Sequence, residues 1–328
     1  MAASTAGRSR TQPELTGCHT GVVVSDAVEM GVEGKGRRGR PQTLGVVIAL
    51  LLLADLVAVA TVGGSSTLSR VAVTDRIAAA ANRTLASRSA HFTQATHIQI
   101  DLGGSPQSTD QSLDGVVDFT THNAQEVVHQ SGFTVETRVV GGVVYVKFPQ
   151  VALVPLHLSK PWVAIPLPSA LSGGASSSAL AGQGDPGSTL RGLIATSKGG
   201  VTAAREVGHA SIGGVQTTHY LLTVDPAIVS RQAHDALSAI LPGFTPALQL
   251  HSMTLDEWID AHGLVRQVVS TVDATVTLAG HSATEHVTST ANYDDFGVDV
   301  NVKPPPATEV TRVTSLTQLL GGLGGPGA

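Results

Sequence analysis

The middle of this chain alternates. In HFTQATHIQIDL, residues 91–102, Phe92, Ile98, Ile100 and Leu102 share one face while Thr93, His97, Gln99 and Asp101 share the other, the period of two that marks a half-buried strand. The pattern returns in LDGVVDFT with Leu113, Val117 and Phe119, in FTVETRVV with Phe133, Val135 and Val139, and in GGVVYVKF with Val144, Val146 and Phe148. Short Gly or polar turns separate these runs, so they read as successive strands of a meander. Ahead of them Ile77, Ala81 and Leu85 recur at helical spacing behind Thr74-Asp75-Arg76, which predicts an N-capped helix over about 75–87.

From Pro149 to Gly187 the alternation stops. The segment opens as VALVPLHLSKPWVAIPLP, closes as SGGASSSALAGQGDPG and holds six prolines. Proline cannot donate to a ladder, so no regular central strand is expected here. The segment reads as an apolar flap carrying Val151, Leu153, Val154, Leu156 and Trp162, followed by a flexible loop. Ser188 is placed to cap a short helix containing Leu190, Leu193 and Ile194, and REVGHASIGGVQTTHYLLTVD then reads as strand, turn, strand. Asp225-Pro226 starts another helix, with proline at its first position, continuing through Ile228, Val229, Ala236 and Ile240 to Pro242. Two more long strands follow it.

The first of these contains LDEWIDAHGLVRQ, residues 255–267, where Asp256, Glu257, Asp260 and His262 crowd around Trp258. An acid/base or metal centre needs such groups to converge on one point. Strand parity separates them: Leu255, Glu257 and Ile259 point one way, Asp256, Trp258 and Asp260 the other, and Ala261-His262-Gly263 makes a turn. The stretch is therefore expected to be a hairpin with its charges outside, in which replacing Asp256 or Asp260 changes stability little. HSATEH, residues 281–286, places His286 opposite His281 and Glu285, and its spacing fits no zinc-protease motif, so it reads as a solvated strand. Asp295-Phe296-Gly297 has no kinase segments around it and reads as a strand end, and the glycosylation triplet Asn82-Arg83-Thr84 falls inside a predicted helix. No G-x-S-x-G, Walker lysine or dinucleotide fingerprint occurs. No catalytic residue, metal site or cofactor is predicted.

Composition sharpens this picture. Charged residues are 14% of the chain, aromatics 3%, and the formal charge is -5, which leaves no basic footprint for nucleic acid. The one cysteine, Cys18, precedes TLGVVIALLLLADLVAVATVGG, residues 43–64, an apolar run behind KGRRGR that is long enough to cross a bilayer. Basic flanks stay in the cytoplasm, so everything beyond the run is expected outside. Leu44 to Val57 also suits a signal core, with Ala58-Val59-Ala60 as a cleavage site, and both readings stand. The expected organisation is a disordered cytosolic tail at 1–40, an anchor or signal at 41–64, a linker at 65–72, one α+β domain at 73–312 and a Gly-rich tail at 313–328.

The serial order of SAHF, VGGVVYVK, KPWV, EVGHASIGGVQTTHY, LDEWIDAHGLVRQ and YDDFGVDVNVKPP resembles actinobacterial lipid-carrier lipoproteins of the LppX and LprG type, over roughly Val73 to Pro306. The resemblance implies a LolA-like antiparallel half-barrel closed by helices around an apolar cavity, and a non-enzymatic monomer binding a lipid or acylated glycolipid at the cell envelope. The lipid-modified cysteine of that family is absent here, where Ala54-Asp55-Leu56 stands, so the apolar run itself would hold the protein to the membrane. By parity the sheet side of such a cavity is Ile98, Ile100, Val117, Phe119, Val135, Val144 and Val146, and the helix side is Ile77, Ile194, Ile228 and Ile240, with the flap residues as rim. The same stripes could instead meet in a packed core, which would suit an envelope structural or stress-sensing ectodomain.

Overall fold

The computed structural model describes residues 68–130, 132–149, 158–166, 186–197, 199–231, 247–278 and 281–313. Helix α1 (Leu68–Ala86) leads into β1 (Ser89–Leu102), β2 (Pro106–Asp118), β3 (Asn123–Gln130), β4 (Phe133–Val140) and β5 (Val143–Lys147). Then come β6 (Trp162–Pro166), α2 (Pro186–Ser197), β7 (Val201–Ile212), β8 (Val215–Val224), β9 (Ala247–Asp260), β10 (Val265–Leu278), β11 (His281–Asp294) and the short β12 (Val310–Arg312). The strands form one sheet of twelve in the order β12-β6-β5-β4-β3-β2-β1-β11-β10-β9-β8-β7. Neighbours are antiparallel except β12 with β6. The two meanders join where β1 meets β11, with His91 opposite Asp294 and Leu102 opposite Ala283.

Parity is realised as the alternation requires. Ala90, Phe92, Thr96, Ile98 and Ile100 of β1 are buried, as are Leu113 and Val117 of β2, Ala124 and Val128 of β3, and Val268, Val272, Ala274 and Val276 of β10. Helix α1 packs the same core with Ile77, Ala80 and Ala81, and α2 does so with Leu190 and Leu193. Those spacings put each set on one stripe of its helix.

Four expectations are corrected. α1 starts at Leu68, inside the expected linker, because Thr74 does not cap: its hydroxyl donates to the helix's own Arg70 and Val71 carbonyls, while Arg70 Nη1 reaches Val201 O at 2.9 Å. The flap contains a regular strand, β6, framed by Pro161 and Pro166; Pro161 still supplies its carbonyl, which accepts from Phe148 N–H at 2.9 Å. Three long strands, not two, follow the 226–231 helical segment. Phe133 shares the parity of Val135 but is 41% exposed, since it begins β4 at the turn end of the β3–β4 hairpin, opposite Gln130.

Gly115 of β2 is placed by contact rather than by conformation. A Cβ there would lie 2.6 Å from Gln125 O and 3.0 Å from Phe92 Cε1, so the Phe92 ring occupies the space a side chain would fill. Gly115→Ala is expected to destabilise the protein by about 1–3 kcal/mol, because the nearest atom is backbone and cannot swing aside. Urea unfolding of the variant would measure it, and an unchanged midpoint would remove the argument.

Candidate functional site on the inner face of the sheet

One face of the sheet carries the helices, and their cover is uneven. α1 packs against α2 and against β7, β9 and β10, at one end of the strand order. There the side chains are sealed: Ile77, Leu222 and Val224 are fully buried, with Ile228 and Val229 beside them. Towards the other end, Val135 and Val139 of β4 and Val146 of β5 are only half-buried. Register makes these a continuous strip, since Val139 lies opposite Val144, and Val146 opposite both Thr137 and Val163.

Of the residues expected to line a cavity, Ile77, Ile98, Ile100, Val117, Phe119 and Ile228 are buried in one cluster, with Val135 and Ile194 packed on its margin. Val144 is 1% exposed and keeps the parity of that face. Ile240, Val151, Leu153, Val154 and Leu156 lie outside the described residues, as does the apolar run 43–64. No helix among the described residues is long and apolar enough to cross a membrane. Trp162, expected at the rim, is on the opposite face. It alternates with Val163 and Ile165, packs with Tyr145, Ala164 and Val310, and lies 4.9 Å beneath the Arg138 guanidinium. The flap reading missed this because no parity was assigned to a segment not expected to be a strand.

LDEWIDAHGLVRQ is the β9–β10 hairpin, but its charges are not all outside. Asp260 is 6% exposed and organises the turn: Oδ1 accepts from the N–H groups of His262 and Leu264, each at 2.9 Å, and Oδ2 accepts from Arg266 Nε at 2.7 Å. Burial alone would raise its pKa, but the Leu264 N–H, Arg266 and the His262 N–H outweigh it and hold the carboxyl below the ordinary value. The turn is also the seat of α1, because Arg83 Nη1 donates to His262 O and the Val265 N–H donates to the buried Thr84 hydroxyl. Thr84, the third residue of the sequon triplet, is thus a structural group.

Glu257 is the larger departure. Parity groups it with Leu255 and Ile259, and in the fold it has no exposed surface and neither carboxylate oxygen has a hydrogen-bond partner. Burial pushes its pKa to about 8, so it is mainly protonated at neutral pH. Glu285 of β11, read as part of a solvated strand, is also on the buried face, and burial raises it to about 7. Both positions were legible from alternation; their burial required knowing which face the helices cover.

The outer face carries histidines in cross-strand pairs with aspartates. His91 bridges Asp294 and Asp114, His97 meets Asp110, His219 meets Asp256, and His286 meets Asp273. Partial burial would lower His91, but its two aspartates raise it above the ordinary value. Ser252, Asp273 and His286 lie in a row, but both Ser252 and His286 bond to the aspartate, so the order is not that of a triad, in which the histidine must lie between serine and aspartate. Trp258 stacks on His219 at 4.3 Å between centroids, which fixes the ring on this face. No group of three or more His, Cys, Asp or Glu among the described residues is arranged to hold a metal ion.

No protein-family model matches the chain, and no curated protein matches it. Among solved structures it is similar to the lipoprotein LppX of Mycobacterium tuberculosis at 20% identity and a TM-score of 0.40, over 73% of this chain and 100% of that one. It is similar to LprF from Mycobacterium bovis at 14% identity and a TM-score of 0.37, over 74% of this chain and 99% of that one. A LolA superfamily protein from Nitrosomonas europaea aligns at 12% identity and a TM-score of 0.22, over 68% of this chain and 95% of that one. Likenesses this distant assign neither a family nor an activity.

Proposed function

We propose that this chain is an extracytoplasmic, non-enzymatic binding protein of LolA-like fold, holding a lipid or acylated glycolipid against the inner face of its sheet and passing it onward. Residues 43–64 tether it to the membrane, or release it if cleaved near Ala60, and the domain over 73–312 acts as a monomer. The supporting observation is the uneven cover: helices seal the β7–β10 end, whereas Val135, Val139 and Val146 leave apolar surface accessible at the β4–β5 end. That strip is continuous with buried Val144 and Ile165, so an acyl chain entering there meets aliphatic groups with the buried Thr137 hydroxyl among them. Each methylene buried contributes about 0.8 kcal/mol, so a chain of about a dozen carbons supplies most of a micromolar affinity after the costs of immobilisation.

Native mass spectrometry of protein purified from its own host is expected to show an added lipid mass, and a fluorescent fatty acyl probe is expected to compete with it. Val146→Trp, which fills the accessible strip, is expected to weaken probe uptake at least tenfold while thermal unfolding stays cooperative. A ligand-free protein that takes up no probe would return the chain to the packed structural or stress-sensing ectodomain.

A further inference from the structure

Across the waist of the inner face, neighbouring strands set hydrogen-bonding side chains side by side. Thr96 of β1 lies opposite Gln111 of β2 on one side and Ser289 of β11 on the other, and Ser289 lies opposite Ser270 of β10. Gln94, the next inner-face position along β1, donates to Thr96 Oγ1 at 3.2 Å, and the Thr96 and Ser289 hydroxyls are 3.1 Å apart. Apolar fields flank this band: Ile98, Val287 and Val272 on one side, Leu113, Ala291 and Val268 on the other. Glu257 of β9 lies opposite Val268, one inner-face row from Ser270, with both carboxyl oxygens buried and without partners. Side chains related diagonally in a sheet are about 7–8 Å apart, within reach of a glutamate. Gln94, Ser270 and Ser289 keep part of their surface accessible.

Building on the lipid-binding reading, we propose that this band receives a hydrogen-bonding group carried partway along an acyl chain, a hydroxyl or an ester carbonyl, with the chain running from it onto the two apolar fields. An unbroken alkyl chain laid across the band would desolvate these groups and give them nothing in return. A mid-chain polar group bonds to the hydroxyls and draws in the unpartnered Glu257 carboxyl. The position is far from a head group: along β1 the band lies roughly 13 Å from Ile100 and roughly 20 Å from Ala90, at about 3.4 Å per residue.

The test compares 12-hydroxystearate with stearate, which share a carboxylate and a chain length, by displacement of a fluorescent acyl probe from the full exported protein. The wild type is expected to bind the hydroxylated acid at least tenfold more tightly. The near-isosteric pair Thr96→Val with Ser289→Ala, and separately Ser270→Ala, are expected to remove that preference by weakening 12-hydroxystearate and tightening stearate, whose unbroken chain no longer desolvates these hydroxyls. Equal binding of the two acids by the wild type would overturn the band while leaving lipid binding intact, and this comparison needs no variant to fold. A preference that survives in the folded variants would overturn the assignment to these hydroxyls. Binding of neither acid would overturn the lipid reading and the band together.

Discussion

Replacing Glu257 by glutamine is expected to abolish most of the protein's loss of stability between mildly acidic and alkaline pH. In the folded chain the Glu257 carboxyl holds its proton up to about pH 8, against an ordinary value of 4.5, because burial penalises the anion. The unfolded chain releases that proton near pH 4.5, so between the two values the folded state binds more protons. Its stability is therefore full below about pH 4.5 and falls as pH rises through 8. The span of about 3.5 units at 1.36 kcal/mol each is on the order of 5 kcal/mol, a large share of the total for a domain. Glu285, raised to about 7, adds a smaller loss over a lower window. Glutamine keeps the shape and cannot ionise. Urea unfolding at pH 5, 7 and 8.5 should give the variant little or no advantage at pH 5, where an unpartnered amide replaces an unpartnered acid, and a clear gain at pH 8.5. Curves that run parallel across this range would show that Glu257 is solvated or partnered, contrary to its buried position.

The opposite limb comes from Asp260. Asp260→Ala is expected to cost about 3–5 kcal/mol, since it leaves the half-buried Arg266 guanidinium unpaired and removes the acceptor of two turn N–H groups. The effect should spread to α1, whose Arg83 and Thr84 bond to that turn, and appear as increased exchange at the amides of the α1 C-terminal half. Its carboxyl is held below the ordinary value, so the stability it contributes is present above the unfolded pKa and lost as pH falls through the folded one. Asp256→Asn is the matched control: Asp256 lies on the outer face bonded to His219 at 2.6 Å, and this substitution should change stability by about 0.5 kcal/mol or less. Guanidinium unfolding of the two variants in parallel would measure both, and similar midpoints would mean that the turn does not depend on Asp260.

Much of this arrangement was written locally. Alternation alone placed Phe92, Ile98 and Ile100 on one face, put Glu257 with Leu255 and Ile259, and marked Ala261-His262-Gly263 as a turn, because a pleated strand sends successive side chains to opposite sides whatever lies beside it. Helical spacing likewise marked Ile77 and Ala81 as one stripe. Nothing local says which strands become neighbours. The pairing of β1 with β11, which brings Thr96 to Ser289 across nearly two hundred residues, is a long-range choice, and the transverse polar band exists only through it. Tertiary structure likewise decided that β6 forms inside a proline-rich segment, since β5 and β12 supply ladders that its sequence could not announce, and so sent Trp162 to the outer face. It also decided that Asp260 and Glu257, three residues apart in one acidic stretch, have opposite fates. One meets N–H donors and a guanidinium and keeps its charge; the other is buried without a hydrogen-bond partner and keeps its proton, because desolvation depends on what packs above a face and not on the order of residues along it.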